Sequence, residues 1–138
     1  MEKPENFFEM YSKSAWDKNA AMMTGLYSMD VVIFDMWGKG FYRGIDDTRK
    51  NIIEWFDTLG TDKVEVRFED IHIKEDNEIA FGYGFIKFAG ISKEGVVLRS
   101  MKNRITLAFS KTDNQWKVYH QHISLPINAD DLKANFDI

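Results

Sequence analysis

From about Lys63 to Ser124 the chain is a succession of four long β-type runs joined by tight turns, and this constrains the fold more than any other feature. The runs cover Lys63 to Lys74, Glu78 to Ser92, Val96 to Ser110 and Gln115 to Ser124. Between them, Glu75-Asp76-Asn77, Ser92-Lys93-Glu94-Gly95 and Thr112-Asp113-Asn114 have hairpin chemistry, so consecutive strands should pair antiparallel. The two-residue period breaks in two places. Val64, Val66 and Phe68 alternate, but Ile71 and Ile73 continue on the other parity, which a β-bulge near Glu69-Asp70 would reconcile. Gly82 and Gly84 sit in mid-strand, where glycine marks a bend or a close approach. Long strands with bends curl, and a curled sheet leaves a hollow.

The first half supplies what closes that hollow. Pro4 suits a first helical turn, and Phe7, Phe8, Met10, Tyr11 and Ala15 recur near the 3.6-residue period, giving a helix from Pro4 to about Trp16. Asp17 is placed to cap a shorter helix, Lys18 to about Leu26. Val31-Val32-Ile33-Phe34 reads as a strand, the glycines at 38, 40 and 44 as a turn around a brief strand at Phe41-Tyr42. Asp46 or Asp47 then opens a third helix, Thr48 to about Leu59, ended by Gly60, with Ile52, Ile53, Trp55, Phe56 and Leu59 on its buried face. These elements amount to one α+β domain spanning residues 1–138, with a polar tail from residue 127 expected to dock loosely.

Composition removes several functional classes. With no Cys among 138 residues there are no disulfides, thiol catalysis or thiolate metal sites, and a net charge of -4 without basic runs offers nothing to nucleic acid or an anionic membrane. No apolar stretch approaches the ~18 residues of a bilayer span, and the start lacks a leader pattern; a cytoplasmic protein is expected. Walker-type and Gly-x-Gly-x-x-Gly motifs are missing, so no cofactor is expected.

The element order, Asp30-Val31-Val32-Ile33-Phe34-Asp35 ahead of a Gly-rich turn and helix, and the ending Trp116-Lys117-Val118-Tyr119-His120-Gln121-His122-Ile123-Ser124-Leu125-Pro126 resemble the SnoaL-like, ketosteroid isomerase-like branch of the nuclear transport factor 2-like superfamily. The likeness covers roughly Glu5 to Pro126. It implies a cone-shaped α+β barrel, a mostly antiparallel curved sheet wrapped around the N-terminal helices and the third helix, with a conical pocket and frequent dimers. The activities it implies are those of isomerases, cyclases and hydrolases, alongside binding and association modules. By resemblance to ketosteroid isomerase, Tyr11 stands at the oxyanion-stabilising Tyr and Asp35 at the proton-shuttling Asp. Ile105 stands where that family has its second, acidic donor; a missing donor there costs on the order of 10²–10³ in rate.

The residues themselves add to this. Asp35 shares parity with Ile33 and would point into an apolar pocket, where its pKa rises toward that of a useful base; the alternative is a strand-end carboxylate binding turn amides. His120, His122 and Ser124 share parity with Trp116 and Val118, so the last strand would present a pocket wall running from apolar to polar, with either His as an acid or polarising group. A His-x-His pair joined by His72 or Asp35 could instead hold a metal, but the strand continues into Ser124-Leu125-Pro126 without a further carboxylate, and no metal site is expected. Strict alternation turns Arg99 inward, toward a ligand anion or Asp35, and Arg104 outward; a bulge would exchange them. Trp16, Trp37, Trp55, Phe56, Tyr83 and Phe85 are candidates to wall the cavity around a small apolar or mixed-polarity ligand. Ile86, Phe88, Tyr119 and Ile123 would then remain outside as a homodimer patch.

Overall fold

The computed structural model describes every residue from Met1 to Ile138. The elements run α1 (Asn6–Trp16), α2 (Ala20–Thr24), β1 (Tyr27–Phe34), β2 (Phe41–Arg43), α3 (Gly44–Thr58), β3 (Lys63–Glu75), β4 (Ile79–Ile91), β5 (Val97–Thr112) and β6 (Gln115–Ser124). All six strands form one sheet in the order β2-β1-β6-β5-β4-β3, antiparallel except where β1 runs parallel to β6. This is the α+β cone expected: a curved sheet with helices against its concave side.

The helices form as their apolar spacing dictates, with differences at the ends and at Ile53 of α3, which is exposed instead of on the buried face. Phe7, Tyr11, Ser14 and Ala15 are the buried face of α1, and the Ser14 hydroxyl is satisfied by donating to the Met10 carbonyl at 2.6 Å. Phe7 is the hub, with the rings of Tyr11, Tyr27 and Phe109 centred 5.3, 6.3 and 6.0 Å away. Asp17 does not cap α2. It pairs with Lys13 at 2.8 Å at the end of α1, while Lys18 turns the chain at φ 52° and Asn19 becomes the cap, accepting from the Met22 amide at 3.0 Å. Helix α3 begins at Gly44, earlier than expected; Asp46 and Asp47 lie in its first turn, where Asp47 reaches back to the Arg43 amide and to Lys39.

The strand pairing shifts register at four places, between β1 and β6, β3 and β4, β4 and β5, and β5 and β6, and two of these bear on the expectations from the sequence. In β3 the pairing with β4 shifts between Glu69 and His72, and Asp70 lies at φ 52°, so the break in period seen in the sequence is an inserted residue. Gly84 lies across from it, and a Cβ there would sit 2.5 Å from Ile71 Cδ1 and 2.8 Å from the Asp70 carbonyl, so no larger residue fits. In β6 the pairing with β5 shifts between Val118 and His120: Phe109 opposes Val118 and Ala108 opposes His120, leaving Tyr119 over. Beyond that point β6 reverses parity.

Both features correct the expected dimer patch. Ile86 and Ile123 are buried core, Phe88 packs against that core from inside, and of the four only Tyr119 is exposed. Gly82 and Gly84 occupy the inward parity of β4 beside the β3 bulge, which sends Phe81 and Tyr83 outward; Ile123 turns inward because Tyr119 is the extra residue. Besides Tyr119, the exposed aromatics of the convex face are Phe34, Phe41, Phe81 and Tyr83. The tail is more attached than its polarity suggested. Ile127 and Ala134 form a bridge, the Asn135 amide donates to the Pro126 carbonyl, and the Phe136 ring stacks on Trp37 at 6.3 Å. No helix is long and apolar enough to cross a membrane.

Candidate functional site

Between α3, the end of β1 and the concave faces of β4, β5 and β6 lies a cavity of about 670 Å³, fifteen of whose 22 lining residues are hydrophobic, which makes its polar members the informative ones. Asp35, Tyr11, Trp37, Trp55 and Arg99 line it. Arg104 is on the outer face, where its Nε donates to the Ser124 hydroxyl at 3.2 Å.

Asp35 borders the cavity and is also bonded to the turn that follows β1. One carboxylate oxygen accepts from the Met36 amide at 2.8 Å, and the Asp35 amide donates to Gly40 across the turn, so the side chain is held at the strand end while it borders the cavity. Burial raises its pKa, and the Met36 and Trp37 amides oppose that rise without cancelling it. No ion pair joins it to Arg99.

Two phenols stand beside it. Tyr11, on the inner face of α1, is pushed far above the ordinary phenol range by burial and then by the Asp35 charge. It makes no side-chain hydrogen bond within the protein, although its oxygen is not among the sealed, unpartnered atoms of the interior. Tyr27, at the start of β1, donates to Gln121 Oε1 at 2.6 Å and is raised by burial, Tyr11 and Asp35, the Gln121 bond opposing. Both are therefore neutral donors at any ordinary pH. Asn103, fully buried on the same side of β5, donates to Met36 Sδ at 2.7 Å while its Oδ1 has no partner.

His120 and His122 do not line the cavity, and the reason is the extra residue at Tyr119. After the reversal Gln121 and Ile123 face in, while the histidines lie outside against Phe34, their rings 4.9 and 5.5 Å from it. His120 Nδ1 donates to the Val32 carbonyl at 2.7 Å, which fixes its tautomer. His72, on β3, stacks on Tyr83 and contacts Asp70, so it does not join them, and the donor set considered for a metal is not assembled. Ser124 follows the histidines outward. Trp16 is on the surface under Lys63, and Phe56 is core beneath Trp55 rather than cavity wall. Tyr83 faces out, and Phe85 lies under Lys102.

Sequence reasoning missed Gln121, Tyr27, Tyr42, Asn51 and Phe136, all of which line the cavity. The signal for Gln121 was Ile123, an apolar residue on the second parity of β6 that the bulge at Tyr119 makes the inner one.

The SnoaL-like domain family matches residues 5–128. The chain belongs to that family. No curated protein matches it by sequence. Solved structures share the fold of this SnoaL-like domain at low identity. An NTF2-like protein of unknown function from Pseudomonas putida KT2440 is 17% identical, with 97% of this chain and 92% of that one covered and a TM-score of 0.86. An NTF2-like superfamily protein from Salmonella enterica serovar Typhimurium is 15% identical over 94% and 93%, with a TM-score of 0.73. Aln2 from a Streptomyces species is 8% identical over 88% and 91%, with a TM-score of 0.76.

Proposed function

We propose that this SnoaL-like domain binds a small, largely apolar molecule in its cavity and moves a proton on it without a cofactor, as an isomerase, cyclase or hydrolase would. The observation that carries the reading is the single carboxylate of the cavity, Asp35, desolvated beside an unpartnered phenol, Tyr11. In the simplest step the Asp35 carboxylate takes a proton from the carbon next to a ligand carbonyl, and the Tyr11 hydroxyl donates to the oxygen where negative charge develops. The proton is then returned to another atom of the ligand. A raised pKa makes Asp35 a stronger base than an exposed Asp, and the neutral phenols nearby can donate without themselves ionising. The Tyr27–Gln121 bond holds the wall behind them.

Exchange of solvent deuterium into a panel of enolisable ketones, followed by proton NMR, tests this. Exchange that falls at least about 10²-fold in Asp35→Asn, and also falls in Tyr11→Phe, supports it. Exchange equal in wild type and Asp35→Asn removes Asp35 as the base.

A second reading, an association module, is supported by the aromatic convex face, where Phe34, Phe41, Phe81 and Tyr83 are between 42% and 49% exposed. Thr106 and Ala108 of β5 are small residues between them, leaving a trough that a second copy could fill. Sedimentation showing a dimer that Phe81→Lys dissociates would support homodimerisation through this face; a monomer across micromolar concentrations would refute it.

A further inference from the structure

The only two charged side chains lining the cavity stand at opposite ends of it. Asp35 follows Phe34, which pairs with His122, itself paired with Thr106, so Asp35 lies level with Ile105 of β5. Arg99 is on the same concave parity of β5, toward the β4–β5 hairpin. From Ile105 to Arg99 the strand runs roughly 20 Å, at about 3.3 Å per residue.

Arg99 is exposed at the rim, and no carboxylate pairs with it. Its partner on β4 is Gly90, so nothing larger than a hydrogen stands opposite the side chain. Apart from Asp35, the other polar residues of the lining, Ser100 and Asn51 among them, are neutral. An unpaired guanidinium at the edge of an apolar cavity presents a planar fork of donors that fits a carboxylate, phosphate or sulfonate, and such a bond is charge-assisted. The other end is unsuited to an anion, since a second negative charge there would face Asp35 in a dry environment. Between the two ends the walls are apolar, with Trp55, Phe88 and Met101 among them.

We propose that the ligand is an amphipathic organic anion, held by its acid group at Arg99 on the rim, with its apolar body along the cavity and an uncharged oxygen function at the Asp35 end. This rests on the small-molecule reading above and adds the chemical class and orientation of the ligand.

Two fluorescent probes sharing one apolar body test it: anilinonaphthalene sulfonate, which carries an acid group, and N-phenylnaphthylamine, which does not. The wild-type protein should bind the sulfonate probe about tenfold more tightly, the scale of one charge-assisted hydrogen bond, and the neutral probe should displace it. Arg99→Gln should remove that preference while leaving the neutral probe's affinity unchanged. Lys102→Gln should retain it, because that cation lies on the opposite parity of β5, bound to Glu69 at 2.9 Å. A preference that survives Arg99→Gln, or one lost equally in both variants, overturns the assignment while the cavity remains a binding site for the neutral probe. If neither probe binds, the small-molecule reading itself fails.

Discussion

Strands β3 and β6 each carry one residue more than their partner, yet only the first advertises it in the sequence. Around the β3 bulge one face is apolar and the other charged, so Val64, Val66 and Phe68 followed by Ile71 and Ile73 cannot be placed on one side without an insertion. In β6 both parities look burial-competent. Trp116 and Val118 lead one series, Tyr119, Ile123 and Leu125 the other, and an uninterrupted strand satisfies either. A bulge is legible when only one register hides the apolar residues and silent when two do. The silent one decides the cavity wall, because it exchanges two histidines for Gln121 and Ile123 there.

The largest effect expected is at the legible bulge. Gly84→Ala places a methyl 2.5 Å from Ile71 Cδ1 and against two backbone carbonyls, at 2.8 and 3.0 Å, and should cost about 3 kcal/mol in urea unfolding. Gly82→Ala meets a side-chain carbon at 3.2 Å first, and Ile73 can move, so its loss should stay below about 1 kcal/mol. Equal losses would mean that the bulge is not the rigid feature of β3.

The next test bears on β6. Gln121→Leu strands the buried Tyr27 hydroxyl and should cost about 1–2 kcal/mol, whereas His122→Ala, one residue along, should change stability by less than about 0.5 kcal/mol. The opposite ranking would restore the uninterrupted register, with the histidines inside.

Asp35 sharpens the comparison from the neighbouring strand. Because its pKa is raised in the folded protein, the native state holds that proton more tightly than the unfolded chain. That contribution is complete below the ordinary carboxylate value and is lost as pH rises through the raised one. Asp35→Asn keeps an oxygen for the Met36 amide and carries no charge, so its melting temperature should gain on the wild type across that window. Melting both proteins from about pH 3 to about pH 7 gives the comparison. A gap that moves the other way would mean that the amide bonds, not burial, dominate at Asp35.

At Asn103 the expected effect has no preferred sign. Its Oδ1 is already unpaired, so Asn103→Leu should alter stability by less than about 1 kcal/mol in either direction. A loss well above that would show that the amide has a partner, such as an ordered water.

Much of the fold was readable in this way. Most of the helix positions, the hairpin pairing of the last four strands, the β3 bulge and the inward face of β5 from Arg99 through Phe109 follow from turn chemistry and from patterns in which one face is plainly apolar. The site was readable in part. Asp35 and Tyr11 came from the strand end, the helix stripe and the family likeness, and Trp37, Trp55 and Arg99 from parity and aromatic content. Trp16 and Phe56 show the limit: both are aromatics at helical spacing, and spacing alone does not separate a core ring, a surface ring and a cavity wall.

The sequence by itself determined where helices and strands form and where β3 must bulge, because those outcomes depend on local periodicity and on glycines whose neighbours are close along the chain or across one hairpin. Only the tertiary structure decided which parity of β6 faces in, that Tyr27 finds Gln121, and that Phe136 returns to cover Trp37. Each of these depends on a partner far away in sequence, and burial free energy is nearly the same for the competing local arrangements until that partner is in place.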